Sequence, residues 1–442
     1  MSGVDLFGVC GSGAQQRGEA SGGGAPRLLE PQRDQIELRA MDIDSLIGDD
    51  HPARAIWAYV APLDLHEVER RIKARGAQPG RPAISPRLML ALWLYATSQG
   101  VGSARALERL CRNHDVYRWL CGGVSVNYHT LAEFRVGAGE MLDRLLAEHL
   151  MALTRAGLVD LDVLAQDGVR IRANAATGSF RRGATLAQQL ETAQAVVAHL
   201  KAELDTDAPA SERRIEAARR RAASQRAARV QAAQKALAEL EAQRAALKKK
   251  GGNGKPQSDP RASTTDAEAR VMKMADAGFR PAYNVQVASV AGTPFVVATQ
   301  VSNNGSDGHR MRPMLEKVRQ QTGRLPARHL VDGGYGGSEE IAWAHSQNVA
   351  VYCPAKQTGS APDPYLPRDS DGPAIAAWRA RMGCQDGKAQ YRLRTICECI
   401  HARWRNWGLR QFTVRGMAKV GAIVSLFALT NNVLQGQRLA NA

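Results

Sequence analysis

Val163-Leu164-Ala165-Gln166-Asp167-Gly168-Val169-Arg170-Ile171-Arg172-Ala173 is the stretch that decides the fold. Val169, Ile171 and Ala173 alternate with Arg170 and Arg172, the two-residue period of a strand with one buried face. Upstream, residues 40–158 read as short helices. Leu88, Met89, Leu92, Leu94 and Tyr95 form one apolar face, Leu107, Leu110 and Cys111 a second, and Met141, Leu142, Leu145, Leu146 and Leu150 a third. Pro52, Gly80-Arg81-Pro82, Gly100 and Gly122-Gly123 break the runs between them.

Downstream of the strand the period changes again. Leu186, Leu190, Val197, Leu200 and Leu204 fall at helical spacings, Pro209 interrupts, and a second Ala-, Arg- and Glu-rich stretch runs from Glu212 to Leu247. This predicts an antiparallel helical hairpin or short coiled coil over 184–250, closed by the basic linker Lys248-Lys249-Lys250-Gly251-Gly252. Strands return at Tyr283, Val285 and Val287, which alternate with Asn284 and Gln286, and at Phe295-Val296-Val297, with an Ala291-Gly292 turn between. A helix over 312–321, a strand His329-Leu330-Val331, a helix over 339–347 and a strand over 349–352 follow. A Pro- and Gly-rich loop is expected over 356–386, a helix over 389–407 ending at Gly408, and a last apolar helix over 418–434. The expected architecture is a mixed α/β domain over 159–435, interrupted by the helical insertion at 184–250 and preceded by an all-helical domain over 28–158. The Gly- and Ser-rich residues 1–27 read as a disordered leader and 436–442 as a tail.

The 442 residues carry a net charge of +16, with a sequence pI near 9.8. That excess of cations favours a polyanion, and nucleic acid fits better than a membrane. The longest apolar run near the C-terminus, Gly421 to Leu429, is too short to span a bilayer. No basic segment followed by an apolar one opens the chain, so it does not read as a signal peptide. Seven scattered cysteines without a CxxC pair argue for free thiols in a reducing cytoplasm.

Three carboxylates stand where metal chemistry is commonly built. Asp167 lies in the strand quoted above, and Asp332 follows the short strand His329-Leu330-Val331; carboxylates at strand ends face clefts in α/β sheets. Glu398 lies inside the helix before Gly408. At 100° per residue it shares one face with Tyr391, Arg394 and Arg405, so a carboxylate, two cations and a phenol point the same way. His309, His345 and His401 show no ligand spacing and read as structural or surface histidines. The N-terminal helices, with Asn127, His129 and Arg135 in the segment Val124 to Arg135, are a candidate helix-turn-helix.

Tyr391, Arg394, Glu398 and Arg405, spaced by two, three and six residues, resemble the signature on the last catalytic helix of a large group of bacterial insertion-sequence DDE transposases, with Arg405 where that family usually has Lys. Asp332-Gly333-Gly334-Tyr335 resembles the group's second-Asp motif, and Asp167-Gly168-Val169-Arg170-Ile171-Arg172-Ala173-Asn174-Ala175 its first. The blocks 263–284, with Phe279-Arg280-Pro281-Ala282-Tyr283-Asn284, and 50–135, from Asp50-His51-Pro52 to Phe134-Arg135, are also similar. The resemblance spans roughly residues 28–435. It implies a ribonuclease H-like catalytic domain and two Mg²⁺ (or Mn²⁺) ions held by Asp167, Asp332 and Glu398. In that arrangement Asp167 bridges both ions and the other two each complete one site. Arg394 and Arg405 would position phosphates, and Tyr391, Trp404 and Trp407 would meet displaced nucleotides. The implied partners are DNA, as terminal inverted repeats and target, and a second copy of the chain on that DNA. The alternatives are a ribonuclease H-like nuclease without strand transfer and a domesticated, non-catalytic DNA-binding remnant.

Overall fold

A computed structural model of the chain describes residues 40–76, 82–202, 210–249, 259–355 and 363–440, with 31, 33, 34 and 36 besides. The leader 1–27, the Gly80-Arg81 turn, Leu204, Pro209, Lys250 to Gly252 and the first part of the 356–386 loop lie outside the described residues. Residues 43–442 form one compact unit. The described residues before 43 form no helix or strand.

After a 3-10 turn at Asp44–Leu46, seven α-helices follow among the described residues: α1 (Pro52–Val60), α2 (His66–Arg70), α3 (Pro86–Ser98), α4 (Ala104–Asn113), α5 (Asp115–Cys121), α6 (Tyr128–Gly137) and α7 (Gly139–Arg155). Their starts follow local chemistry. Pro52 and Pro86 occupy first-turn positions, and Ser103 and Asn127 cap α4 and α6 by accepting from Ala106 N and Thr130 N. Asn127, in the segment read as a candidate helix-turn-helix, thus serves as a cap, and Arg135 is buried.

The rest of the chain is β1 (Val163–Arg172), β2 (Phe180–Arg181), α8 (Gly183–Ala202), α9 (Ala210–Lys249), β3 (Ala262–Ser263), β4 (Arg270–Lys273), β5 (Phe279–Val290), β6 (Val296–Ser302), α10 (Met311–Thr322), β7 (Arg328–Leu330), α11 (Ser338–Ser346), β8 (Ala350–Tyr352), α12 (Pro373–Gly383), α13 (Gln385–Arg392), α14 (Ile396–Asn406) and α15 (Met417–Ala440). β5 is antiparallel to β1 on one edge and to β4 and β6 on the other; β1, β7 and β8 are parallel. The insertion folds back on itself: Leu186 and Leu190 near the start of α8 pack with Val230, Ala233 and Leu237 towards the end of α9.

The alternation in β5 predicts a strand with a wet face, yet β5 is buried on both sides. Tyr283, Val285 and Val287 pack with Ile400 and Trp404 of α14 and Val424 and Phe427 of α15. On the opposite face Ala288 and Val290 meet Leu150 and Leu153 of α7 and Met314 and Val318 of α10. Asn284 and Gln286 therefore lie in the interior and need internal partners.

Three further expectations are corrected. Residues 373–383, read as loop, form α12, because Pro373 sets its first turn and Trp378 and Met382 find a pocket among the side chains of β7, β8 and α11. The single helix over 389–407 is divided into α13 and α14 by a 3-10 turn at Leu393–Thr395, which contains Arg394. Residues 436–440, read as tail, continue α15.

α15 is also longer than its apolar run suggested. By length and composition it could cross a membrane, but 72% of that window is buried inside protein. It packs on α7, α3, α6 and β6, which makes it the post around which helices and sheet assemble. Its polar anchors fix the register. Asn432 donates to Val296 O (2.7 Å) and accepts from Val296 N (2.8 Å), and Asn431 donates to Pro294 O (2.6 Å). Asn432→Leu strands both backbone groups away from water, so urea unfolding should show a loss of about 2–4 kcal/mol. A loss below half a kcal/mol, roughly the surface-mutation range, would remove α15 from this role.

Candidate active site

Asp167 sits mid-way along β1, and the carboxylate turns over its own backbone to accept from Gly168 N at 2.9 Å. Asp332 follows β7, where its Oδ1 accepts from Gly333 N at 2.7 Å. The Gly333-Gly334-Tyr335-Gly336 turn needs its glycines: a Cβ on Gly333 would lie 3.0 Å from Pro354 O, and one on Gly336 2.7 Å from Cys353 Sγ. Because β1 and β7 are parallel neighbours, Asp167 and Asp332 are close enough to act on each other electrostatically.

Arg394 links β1 to α14. Its guanidinium lies 3.3 Å from Asp167 and 4.0 Å from Glu398, with its centre 5.9 Å from the Tyr391 ring. Burial pushes the Asp167 carboxyl above the ordinary carboxylate range. Arg394 and the Gly168 amide pull it back, while Asp332 and Asp307 push it further up. A half-buried carboxylate with two acidic neighbours and one arginine is a place where a further cation is stabilised. Glu398 projects outward, its side chain 68% exposed, and is free to swing. Arg405 is exposed further along the same helix.

The donors are all carboxylate oxygens, which suits a hard divalent cation. Among the described residues, however, no three Asp, Glu, His or Cys side chains are gathered as a ready-made metal cluster. The reason is local: Arg394 stands between Asp167 and Glu398 and supplies positive charge there. The carboxylates of Asp167 and Asp332 act on each other and are the donor type such a cation takes, while Glu398 stands exposed beside Arg394.

Two residues of this site escaped sequence reasoning. His401, read as structural or surface, is buried with Nδ1 3.7 Å from Asp167 Oδ2. Burial, with Arg405 and Arg394 nearby, pushes it down to about 4, so it is neutral at pH 7. Its position three residues after Glu398 on the same helix face was the available signal. Asp307, in the loop after β6, has no such signal. It accepts from Asn284 (2.8 Å) and Gln286 (2.9 Å) and faces Arg170 at 3.9 Å. Gln286 in turn accepts from Tyr335 Oη (2.6 Å) and from Gln166 (2.9 Å), and Gln166 pairs with His329 Nε2 (3.1 Å). A buried polar relay therefore runs from β7 to Asp307, directly behind the strand that carries Asp167.

The aromatic candidates separate. Trp404 is 1% exposed and packs against Phe427, so it has no free face for a nucleotide; it belongs to the core. Trp407 and Tyr391 are half-buried.

His329 in the relay has a measurable consequence. Complete burial pushes it down to about 3. The unfolded chain takes up a proton near pH 6.5 that the native state refuses. Stability due to this group is thus complete above 6.5 and is lost as pH falls towards 3. Between pH 6.5 and 4.5 the loss from this one group is about 2–3 kcal/mol. His401 adds a loss of the same sign. His329→Gln should flatten the acid slope of urea-unfolding stability by about one proton; an unchanged slope would contradict the burial.

Comparison with known families gives two matches. The family described as "Transposase domain (DUF772)" matches residues 41–136, which hold α1 to α6. The family described as "Transposase DDE domain" matches residues 257–432, which include Asp332 and Glu398 but not Asp167. Neither the curated proteins nor the solved structures gave a match. Two transposase domains in order, over more than half of the chain, place it among the insertion-sequence DDE transposases.

Proposed function

We propose that the protein cuts DNA at the ends of its element and joins the freed 3′ ends to target DNA, using Asp167, Asp332 and Glu398. The observation that carries this reading is that Arg394 touches both Asp167 and Glu398, while Asp332 acts on the same Asp167 carboxylate. Carboxylates on one strand, just beyond the end of its parallel neighbour, and on a helix against the sheet are what a ribonuclease H-like catalytic domain calls for. Two Mg²⁺ (or Mn²⁺) ions held by these three residues would supply an activated oxygen nucleophile and stabilise the leaving oxygen.

The chain's own groups do the positioning. Arg394 and Arg405 bind phosphate oxygens, and Arg394 moves from Glu398 to the DNA as it does so. Neutral His401 lies against the inner side of Asp167, 3.7 Å away. Tyr391 and Trp407 offer aromatic faces to unpaired nucleotides. In this reading residues 28–158 are a helical module that contributes to DNA binding, residues 159–435 are the catalytic domain, and the 184–250 hairpin is an insertion into it. The active form is a homodimer on paired ends, in the bacterial cytoplasm.

The test is incubation of purified protein with duplexes carrying the element's terminal sequence and a target plasmid, with Mg²⁺ or with EDTA. Cut and joined products with Mg²⁺ alone are expected. Cutting without joining selects a simple nuclease. No cutting by a folded, DNA-binding protein selects a non-catalytic remnant.

A further inference from the structure

A cavity of about 280 Å³ opens between α3, α6 and the segment that joins α14 to α15. That is close to the size of small-ligand sites. Its rim is made where two left-handed glycines meet: a Cβ on Gly100 (φ 73°) would lie 3.6 Å from Trp407 O, and one on Gly408 (φ 85°) 3.5 Å from Gly100 O. Trp93, Phe412 and Phe427 line it as nearly enclosed side chains, and half-buried Trp407 is its open aromatic wall.

Arg135 lines the same cavity and is 8% exposed. Its guanidinium lies 4.3 Å over the Trp93 ring and donates once, to Gly102 O at 2.6 Å. Its Nε is buried with no partner, and among the described residues no carboxylate pairs with it. Burial pushes it down to about 10, so the charge persists at pH 7. A desolvated cation without an anion is costly unless the anion arrives with a ligand.

We propose that this cavity binds a single nucleotide, with its phosphate on Arg135 and its base against Trp407. Aromatic faces hold any base, and Arg is the usual phosphate partner. Resting on the transposase reading, the cavity extends the DNA path. Trp407 lies nine residues beyond Glu398, about 13 Å along α14, so an unpaired strand leaving the acids reaches the cavity within a few nucleotides.

The test is calorimetric titration of the full chain, without metal, with dAMP, deoxyadenosine and inorganic phosphate. dAMP should bind at least tenfold more tightly than either fragment. Arg135→Lys should weaken dAMP at least tenfold. Gly102→Leu, which adds bulk to the cavity lining beside the carbonyl that Arg135 donates to, should do the same. A Cβ at Gly102 meets nothing within 4 Å, so this variant should fold, as its urea unfolding would verify. A short single-stranded oligonucleotide that binds more tightly than dAMP and loses affinity in Gly102→Leu identifies the DNA strand as the source. dAMP binding that the oligonucleotide does not compete for identifies free nucleotide. No dAMP binding at millimolar concentration, or binding unchanged in folded Gly102→Leu, overturns the proposal. The transposase reading fails by a different result, absence of Mg²⁺-dependent cutting.

Discussion

Asp167→Asn is expected to lower cutting of end DNA at least about a thousandfold, about 4 kcal/mol of transition-state stabilisation, while the protein stays folded. Asp167 is the one carboxylate that Arg394, His401, Asp332 and Asp307 all address. Asparagine keeps its shape and one acceptor oxygen but removes the charge that would hold a divalent cation. Burial already disfavours the charged form of Asp167, so the neutral amide is no harder to bury. Urea unfolding should therefore change by about 1 kcal/mol or less. Binding to end DNA should be unchanged or slightly tighter, since a negative charge beside a phosphate backbone has gone. Loss of cutting together with loss of folding would leave the chemistry unassigned to Asp167; Glu398→Gln then decides, because that side chain is exposed and its replacement does not disturb the core. Cutting by folded Asp167→Asn or Glu398→Gln within about tenfold of the unaltered protein, only about 1.4 kcal/mol, would show that these carboxylates do not hold the reacting ions.

Much of this site was legible locally. β1 declared itself through Val169, Ile171 and Ala173, and the 4.0 Å approach of Arg394 to Glu398 follows from helical spacing although a 3-10 turn interrupts the helix. What was hidden depends on contacts distant in sequence. Asn284 and Gln286 look like the wet face of a strand. They are interior because α7 and α10 cover that face, and only then do their amides have to find Asp307 and Gln166. Arg135 carries no sign that Trp93, forty-two residues away, lies beneath it. Trp404 and Trp407 sit three apart on one helix segment, yet the first is enclosed by the α15 core and the second lies at its margin. Residue type and period show which groups exist; packing decides which of them face a substrate.

Gly168→Ala should be the most damaging single-methyl change near the site. The backbone conformation of Gly168 does not require glycine; the space does. A Cβ there would stand 2.4 Å from Gln286 Nε2, 2.6 Å from Asp307 Oδ1 and 3.0 Å from Asn284 Oδ1. These atoms are side-chain ends, but they are not free to retreat. The Gln286 amide is bound at once by Gln166, Asn284, Asp307 and Tyr335. Moving it leaves buried donors and acceptors unpaired at about 1–3 kcal/mol each, so the expected loss in urea unfolding is about 3 kcal/mol. Asp307 and the Tyr335 turn after Asp332 move with the amide, and a displacement on the order of 1 Å at the acids lowers cutting about a hundredfold. The cause can be isolated with Gln286→Ala, which removes the nearest of the three obstructing atoms and releases the other two, both held by its amide. Gly168→Ala should cost much less in that background, giving a coupling of at least about 1 kcal/mol. If Gly168→Ala costs the same in both backgrounds, or costs under half a kcal/mol, roughly the surface-mutation range, in the unaltered protein, then the relay does not hold the floor of the site, and the approach of Asp307 to β1 is not what fixes the acids.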